Sequence, residues 1–304
     1  MAAEALRPLP DAGRLEYGER AGPYDVGALV VGTLLSTERR TAEVRLAAAA
    51  RATGLRVRDL FAVEAGHAPI DPWHAAALLD VYGTDDAERC AVPALAHRVA
   101  AAGERLDVLP DLYAGWLRRL HLMLWQADRV RATATTWVPF GLRTHRYGAA
   151  AALDYSGLTA DDHRLLTTPV VPARLADQQW TVLLAGHVFA RAAAVPGLDE
   201  QLEHLLALSG RGVDLRLVAE YDLPGVDIFE LTLPGPGAET LIAEVTDRGV
   251  LYRAGPHGGA EALTRQLDHA LRNAPPAAAA REHLRLHRAA LASAAQAAAQ
   301  AESA

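Results

Sequence analysis

The segment from Val31 to Gly83 constrains the fold of this chain more than any other stretch. Two short segments with helical apolar spacing flank Gly54, and glycine allows a tight turn between helices because it has no Cβ. Gly66 follows the second segment and favours the left-handed conformation that ends many helices. Asp71 and Pro72 then supply a capping residue and a proline at the first position of another helix. This pattern predicts a helix-turn-helix unit, which presents one helix to the major groove of DNA.

Residues before and after the predicted turn also match a known pattern. The turn reads Gly54-Leu55, and the second helix closes on Val63-Glu64-Ala65-Gly66. With these motifs, the segment resembles the Xre/Cro-type helix-turn-helix domain over about 50 residues. Matching positions in the first helix and in the closing helix are Val31, Gly32, Leu35, Arg39, Pro72, Ala77, Leu78, Leu79, Val81, Tyr82 and Gly83.

The resemblance implies a recognition helix from about Arg56 to Ala65, whose N-terminal end is expected to meet base edges. Arg58 is expected to read guanine through two hydrogen bonds, and Val57 or Phe61 to contact a thymine methyl group. Arginines outside this helix are expected to bind phosphates and so to set the register on the duplex. The full predicted set comprises Val57, Arg58, Phe61 and Ala62 at the bases, Arg56 at the entrance of the helix, and Arg39, Arg40 and Arg45 at phosphates.

The charge of the chain does not favour nucleic acid. The formal net charge is −7 and the pI about 5.9, whereas DNA-binding modules usually carry a basic patch. Between residues 24 and 83, six arginines stand against seven acidic residues. The predicted recognition helix also contains Asp59, and it has Phe61 and Ala62 where polar groups are common. An alternative therefore stays open, a protein-interaction adaptor that keeps the helix-turn-helix fold but does not bind DNA autonomously.

A second motif follows a helix that we expect from Leu112 to about Thr133. It reads VPFGLRTHRYGAA and runs from Val138 to Ala150. This motif resembles part of the WhiJ-like domain that follows Xre-type domains in many actinobacterial regulators, and the two modules occur here in the same order. The resemblance implies a transcriptional regulator that works with a small partner protein. A homodimer is expected on double-stranded DNA, because one short recognition helix reads too few base pairs to be selective.

The second half of the chain predicts a small sheet. Four apolar segments bounded by Gly, Pro or Asp are typical of strands, at 213–218, 228–233, 240–246 and 250–253. Gln179–Phe189 fits either a buried strand or the start of a helix. The predicted fold is a mainly α N-terminal helix-turn-helix domain plus an α+β C-terminal domain with a small antiparallel sheet. The predicted units are a flexible arm (1–23), the helix-turn-helix domain (24–105), a helical linker (106–175), an α+β regulatory or dimerisation domain (176–276) and an Ala-rich helical tail (277–304).

Features typical of enzymes are few. His283 and His287 lie four residues apart, a spacing that can share a metal ion, but no third ligand follows at a suitable spacing. The glycine-rich segment 255–259 lacks the lysine of a phosphate-binding loop, and the chain contains no lysine. We expect no catalytic residue, no metal and no cofactor, with a metal-dependent hydrolase as the remaining alternative. No stretch is typical of a signal peptide or a membrane span, so we expect a soluble, cytoplasmic protein.

Overall fold

The computed structural model describes residues 25–102, 106–155, 158–166, 177–191, 195–234, 240–255 and 259–302. The predicted flexible arm, residues 1–23, lies outside these ranges. The helices in the described ranges are α1 (Val26–Thr41), α2 (Leu46–Thr53), α3 (Val57–Glu64), α4 (Pro72–Tyr82), α5 (Asp86–Ala101), α6 (Trp116–Gln126), α7 (His145–Ala151), α8 (Ala160–Leu166), α9 (His187–Arg191), α10 (Leu198–Gly210), α11 (Ala260–Asn273) and α12 (Ala277–Glu302). The strands are β1 (Val108–Asp111), β2 (Arg129–Ala134), β3 (Gln179–Ala185), β4 (Asp214–Val218), β5 (Asp227–Thr232), β6 (Thr240–Val245) and β7 (Val250–Arg253).

The strands form one seven-stranded mixed sheet in the order β1-β7-β6-β5-β2-β3-β4. The prediction of a small antiparallel sheet is therefore wrong. The pairs β2·β3 and β3·β4 are parallel, and the other neighbouring pairs are antiparallel. The four predicted strands are confirmed as β4 to β7, and the ambiguous segment Gln179–Phe189 begins with β3. Parallel neighbours need long crossover connections, which here contain α7 and α8 before β3, and α9 and α10 before β4.

The predicted helical linker, residues 106–175, contributes two strands, β1 and β2. The helix expected from Leu112 to Thr133 is wrong in extent, because α6 ends at Gln126 and β2 begins at Arg129. All of β2 after its first residue is buried, so its sequence lacks the polar alternation that marks a half-exposed strand. Arg131 is buried in β2 because its guanidinium is paired with Glu230, which lies 99 residues further along the chain. No local pattern could have revealed that pairing.

One hydrophobic core extends through the N-terminal helices and the sheet. Leu35 of α1, Leu95 of α5, Leu120 of α6 and Tyr252 of β7 are fully buried in the same cluster. Helix α1 contacts α6, β1 and β7 directly. The N-terminal helices are therefore fixed against the sheet by packing. Within the described ranges, no helix combines the length and the apolar character that a membrane crossing requires.

A buried ionic cluster reinforces this junction. Arg119 of α6 holds the Asp111 carboxylate through two hydrogen bonds of 2.7 Å, and its Nη1 lies 3.4 Å from Glu88 Oε1 of α5. The neighbouring Arg118 lies 2.6 Å from Glu38 Oε1 of α1 and 3.1 Å from Glu88 Oε1. These pairs link α1 and α5 to α6 and β1. They set the orientation of the N-terminal helices relative to the sheet.

The same cluster predicts a pH dependence of stability. It contains three carboxylates but only two guanidinium groups, and burial raises the pKa of Glu88 to about 7, although Arg119 and Arg118 oppose the shift. The folded protein therefore binds this proton more tightly than the unfolded chain. The stability from Glu88 is complete below the unfolded pKa of about 4.5 and is lost as the pH rises through about 7. The expected loss is on the order of 1–3 kcal/mol.

Urea unfolding of the wild type and of Glu88→Gln, measured from pH 5 to pH 8, checks this expectation. Glutamine cannot ionise, so the variant should gain stability relative to the wild type as the pH rises. Glu261→Gln, at an exposed position of α11, is the control and should follow the wild type at every pH. A constant difference between Glu88→Gln and the wild type across this range would contradict the raised pKa.

Candidate nucleic-acid interface

The turn between α2 and α3 forms as the sequence predicts. Gly54 ends α2 in the left-handed conformation, with φ of 73°, and the amide of Leu55 donates to the carbonyl of Ala50 over 2.9 Å. A Cβ at position 54 would meet nothing within 4 Å, so the backbone angle is what requires glycine there. Arg56 then occupies the N-cap position of α3. The two helices are therefore joined by three residues, Gly54 to Arg56.

The inner face of α3 is held close to α1. Leu60 and Val63 are buried there, and a Cβ added to Gly32 of α1 would lie 2.0 Å from the backbone oxygen of Val63. Gly66 has φ of 74° and follows Ala65, the C-cap of α3, and a Cβ on Gly66 would lie 2.9 Å from Leu29 Cα. These two glycines allow α3 to pack backbone to backbone on α1. The packing fixes which face of α3 points outward.

Arg39 and Glu64 form a bidentate ion pair that joins α1 to the end of α3. Arg39 Nε and Nη2 each donate to a Glu64 carboxylate oxygen over 2.7 Å, and Nη1 donates to the Val44 carbonyl over 2.9 Å. Burial opposes the charge of Arg39, but the hydrogen bonds from Glu64 and its negative charge raise the pKa of Arg39 overall. Glu64 therefore has a structural role. Every nitrogen of the Arg39 guanidinium donates a hydrogen bond within the fold.

The N-terminal end of α3 is exposed. The side chains of Arg56 and Arg58 are 67% and 75% accessible, and Val57 is 46% accessible. Asp59 lies between the two arginines, with its carboxylate 2.5 Å from Arg56 Nε and 3.5 Å from Arg58 Nε. The hydrogen bond from Arg56 is the main cause of a lowered pKa of Asp59. Two guanidinium groups and one carboxylate thus give this end a net charge of +1.

The remaining predicted contacts differ in exposure. Phe61 and Ala62 are half-buried on α3. Arg40 is half-buried near the end of α6, where its Nη1 lies 3.5 Å from Gln126 Oε1. Arg45 is exposed at the N-cap of α2. Arg45 makes no ion pair with any described residue.

Arg51 is an exposed cation that the prediction did not include. It lies in the last turn of α2 and, like Arg45, makes no ion pair within the described part of the chain. The signal for it was present in the sequence. Ala49, Ala50 and Thr53 form the buried side of α2, and this spacing turns position 51 outward.

The histidine pair noted in the sequence lies on α12, whereas residues 256–258 of the glycine-rich segment lie outside the described ranges. The rings of His283 and His287 lie 4.6 Å apart on α12, next to Phe189. Burial and the proximity of His287 lower the pKa of His283. Among the described residues, no group of three or more His, Cys, Asp or Glu side chains could hold a metal ion.

Comparisons with protein-family models, with curated proteins and with solved structures find no match for this chain.

Proposed function

We propose that this chain is a DNA-binding transcriptional regulator of the Xre type, which acts in the cytoplasm. The proposal rests on the N-terminal end of α3, where the side chains of Arg56, Val57 and Arg58 are exposed to solvent. In a helix-turn-helix protein, this end of the second helix contacts base edges. In this proposal, Arg58 reads guanine and Val57 contacts a thymine methyl group.

The proposed phosphate contacts are Arg45 and Arg51 of α2. Both side chains are exposed and make no ion pair among the described residues, so binding a phosphate would break no salt bridge. Arg39 is not a proposed contact, because each of its guanidinium nitrogens already donates to Glu64 or to the Val44 carbonyl. Arg40 is left out because it lies beside Gln126 of α6. Phosphate contacts of this kind set orientation and carry no sequence information.

Asp59 makes the proposed interface weakly charged. Its carboxylate pairs with Arg56 and approaches Arg58, so both arginines would have to exchange this partner for DNA. We therefore expect modest affinity for DNA of random sequence, and selectivity that depends on base contacts. A homodimer would double the number of base pairs read. The C-terminal α+β region, residues 176–276, is proposed to dimerise or to sense a signal or a small partner protein.

Fluorescence anisotropy with duplex DNA from upstream of the gene for this protein tests the proposal. We expect saturable binding that weakens as the salt concentration rises, because bound phosphates release counterions. The Arg56→Ala, Arg58→Ala double variant should lose affinity by about tenfold or more, since each well-formed base contact is worth about 1–3 kcal/mol. Asp59→Asn should bind more tightly, by up to about tenfold at low salt, because it frees both arginines.

Matched controls separate this interface from general charge effects. The double variant Arg248→Ala, Arg265→Ala removes two exposed arginines from the turn between β6 and β7 and from α11. It should bind DNA as the wild type does. Equal losses in both double variants, or no preference for the upstream duplex over random duplex at low salt, would rule out the proposed recognition by α3.

A second candidate function, a protein-interaction adaptor, is favoured by a specific observation. Trp73 at the start of α4 is 68% accessible, although a side chain of this size is normally buried, and Val57 is exposed on α3. If the anisotropy measurements show no recognition of DNA, the adaptor function with a protein partner becomes the better candidate. Trp73→Ala would then be the first variant to test for partner binding.

A further inference from the structure

A cleft of about 410 Å³ opens beyond the carboxyl end of β4. It lies between the end of β4, a single 3-10 turn at Glu220–Asp222 and the last turns of α11. The strands β2, β3 and β4 run parallel, so their carboxyl ends lie side by side along one edge of the sheet, the edge formed by strand ends. Open α/β sheets bind ligands at this edge, and the volume of the cleft lies in the range of small-molecule sites.

The lining combines apolar walls with a few polar groups. Leu217 and Val218 contribute one apolar wall, and Ala274 and Pro275 contribute another. The polar lining comes from Asp222, His269 and Asn273. Pockets for small organic ligands have this composition, in which apolar surface supplies affinity and a few polar groups orient the ligand.

Asp222 is the charged group of the cleft, and its carboxylate has no hydrogen bond within the described residues. Its side chain is only 13% accessible, and the nearest cationic candidate, His269 Nε2, lies 3.9 Å away. The side-chain nitrogen of Asn273 lies 2.9 Å from the same ring nitrogen. An amide nitrogen only donates, so His269 Nε2 accepts there and cannot also donate to Asp222. A largely buried carboxylate without a donor favours a ligand that brings one.

The surroundings determine the charge of that ligand. No arginine lines the cleft, and the nearby Arg216 is paired with Asp214 over 2.7 Å. Tyr221, 86% accessible at the rim, presents an aromatic ring that can cover a bound cation. A metal ion fits poorly, because no described group offers three ligands. The lining therefore favours an organic cation over a metal ion or an anion.

We infer that this cleft binds a small molecule with a protonated amine on an apolar body. The amine would donate to the Asp222 carboxylate under the ring of Tyr221, and the apolar body would lie between Leu217 and Pro275. The proposed DNA interface uses α2 and α3, which contribute no residue to this cleft. The inference therefore stands whether or not the chain binds DNA.

Isothermal titration with phenethylamine, tryptamine and hexylamine tests the inference on the full-length protein. We expect saturable binding of at least one amine. The neutral 2-phenylethanol and the anionic 3-phenylpropanoate should bind at least about tenfold more weakly than phenethylamine, because neither brings a cation to Asp222. Asp222→Asn should weaken amine binding by about tenfold or more, and Tyr221→Ala by about threefold.

Asp247→Asn, in the turn between β6 and β7, is the matched control and should bind the amines as the wild type does. Thermal unfolding of Asp222→Asn should match the wild type, so that a loss of binding reports the site and not the fold. If Asp222→Asn unfolds early, Tyr221→Ala decides, since its side chain is exposed. The inference is overturned if no amine binds at millimolar concentration, if 2-phenylethanol binds equally well, or if both variants bind as the wild type does.

Discussion

Replacing Arg119 with methionine is expected to lower the free energy of unfolding by about 3–5 kcal/mol, because the change leaves a buried carboxylate without its partner. Asp111 is fully buried, and both of its oxygens accept from Arg119. Arg119 also donates to the backbone oxygens of Tyr113 and Ala114 over 3.0 Å. Methionine has a similar length but no donor. Urea unfolding at pH 7 measures the loss.

Two comparisons show whether the loss comes from the unpaired charge. Arg265→Met replaces an exposed arginine of α11 and should change stability by less than about 0.5 kcal/mol. Adding Asp111→Asn to Arg119→Met removes the stranded charge, so the double variant should be more stable than Arg119→Met alone. A change below about 1 kcal/mol in Arg119→Met would show that this cluster does not hold the N-terminal helices to the sheet.

Gly32→Ala is expected to destabilise the protein by about 3 kcal/mol, at the upper end of the range for overpacked cores. The added Cβ would lie 2.0 Å from the backbone oxygen of Val63 and 3.1 Å from the backbone nitrogen of Gly66. A backbone atom cannot move aside as a flexible side chain can. The new methyl group would therefore push α1 and the end of α3 apart and strain the Arg39–Glu64 ion pair.

Gly210→Ala provides the matched control for this substitution. Gly210 is the last residue of α10, and a Cβ there would meet nothing within 4 Å. Alanine should be neutral or stabilising at that position, by up to about 1 kcal/mol. Equal midpoints of urea unfolding for Gly32→Ala and the wild type would refute the close approach of α1 and α3. If the DNA-binding proposal holds, Gly32→Ala should also weaken DNA binding, because it displaces α3.

The local elements were predictable because neighbouring residues determine them. Gly66 adopts the left-handed angle that its place after the second helical segment predicts. Asp71 Oδ1 accepts from the amide of Trp73 over 2.8 Å, which confirms the predicted cap of α4. The strands β5 to β7 were predictable for the same reason, because they follow one another in the chain and each pairs antiparallel with the next.

The candidate site was predictable only in part. Exposure of Arg56, Val57 and Arg58 follows from the helical period, because Leu60 and Val63 take the buried side of α3. The engagement of Arg39 was not predictable, since its partner Glu64 lies 25 residues away. The cleft beside β4 was missed altogether. Its walls come from β4 and α11, about 50 residues apart in the chain, and no sequence motif marks them.

The sequence by itself determined the helix-turn-helix unit, the four strands β4 to β7 and the outward side of α3, because each depends on the spacing of neighbouring residues. Only the tertiary structure decided that β1, β2 and β3 complete a seven-stranded sheet. It also decided that Arg119 holds two halves of one core together and that the Asp222 carboxylate lies in a cleft without a hydrogen bond from any described residue. Strand pairing and buried ion pairs join residues distant in the chain, and their energy depends on burial that only the complete fold provides.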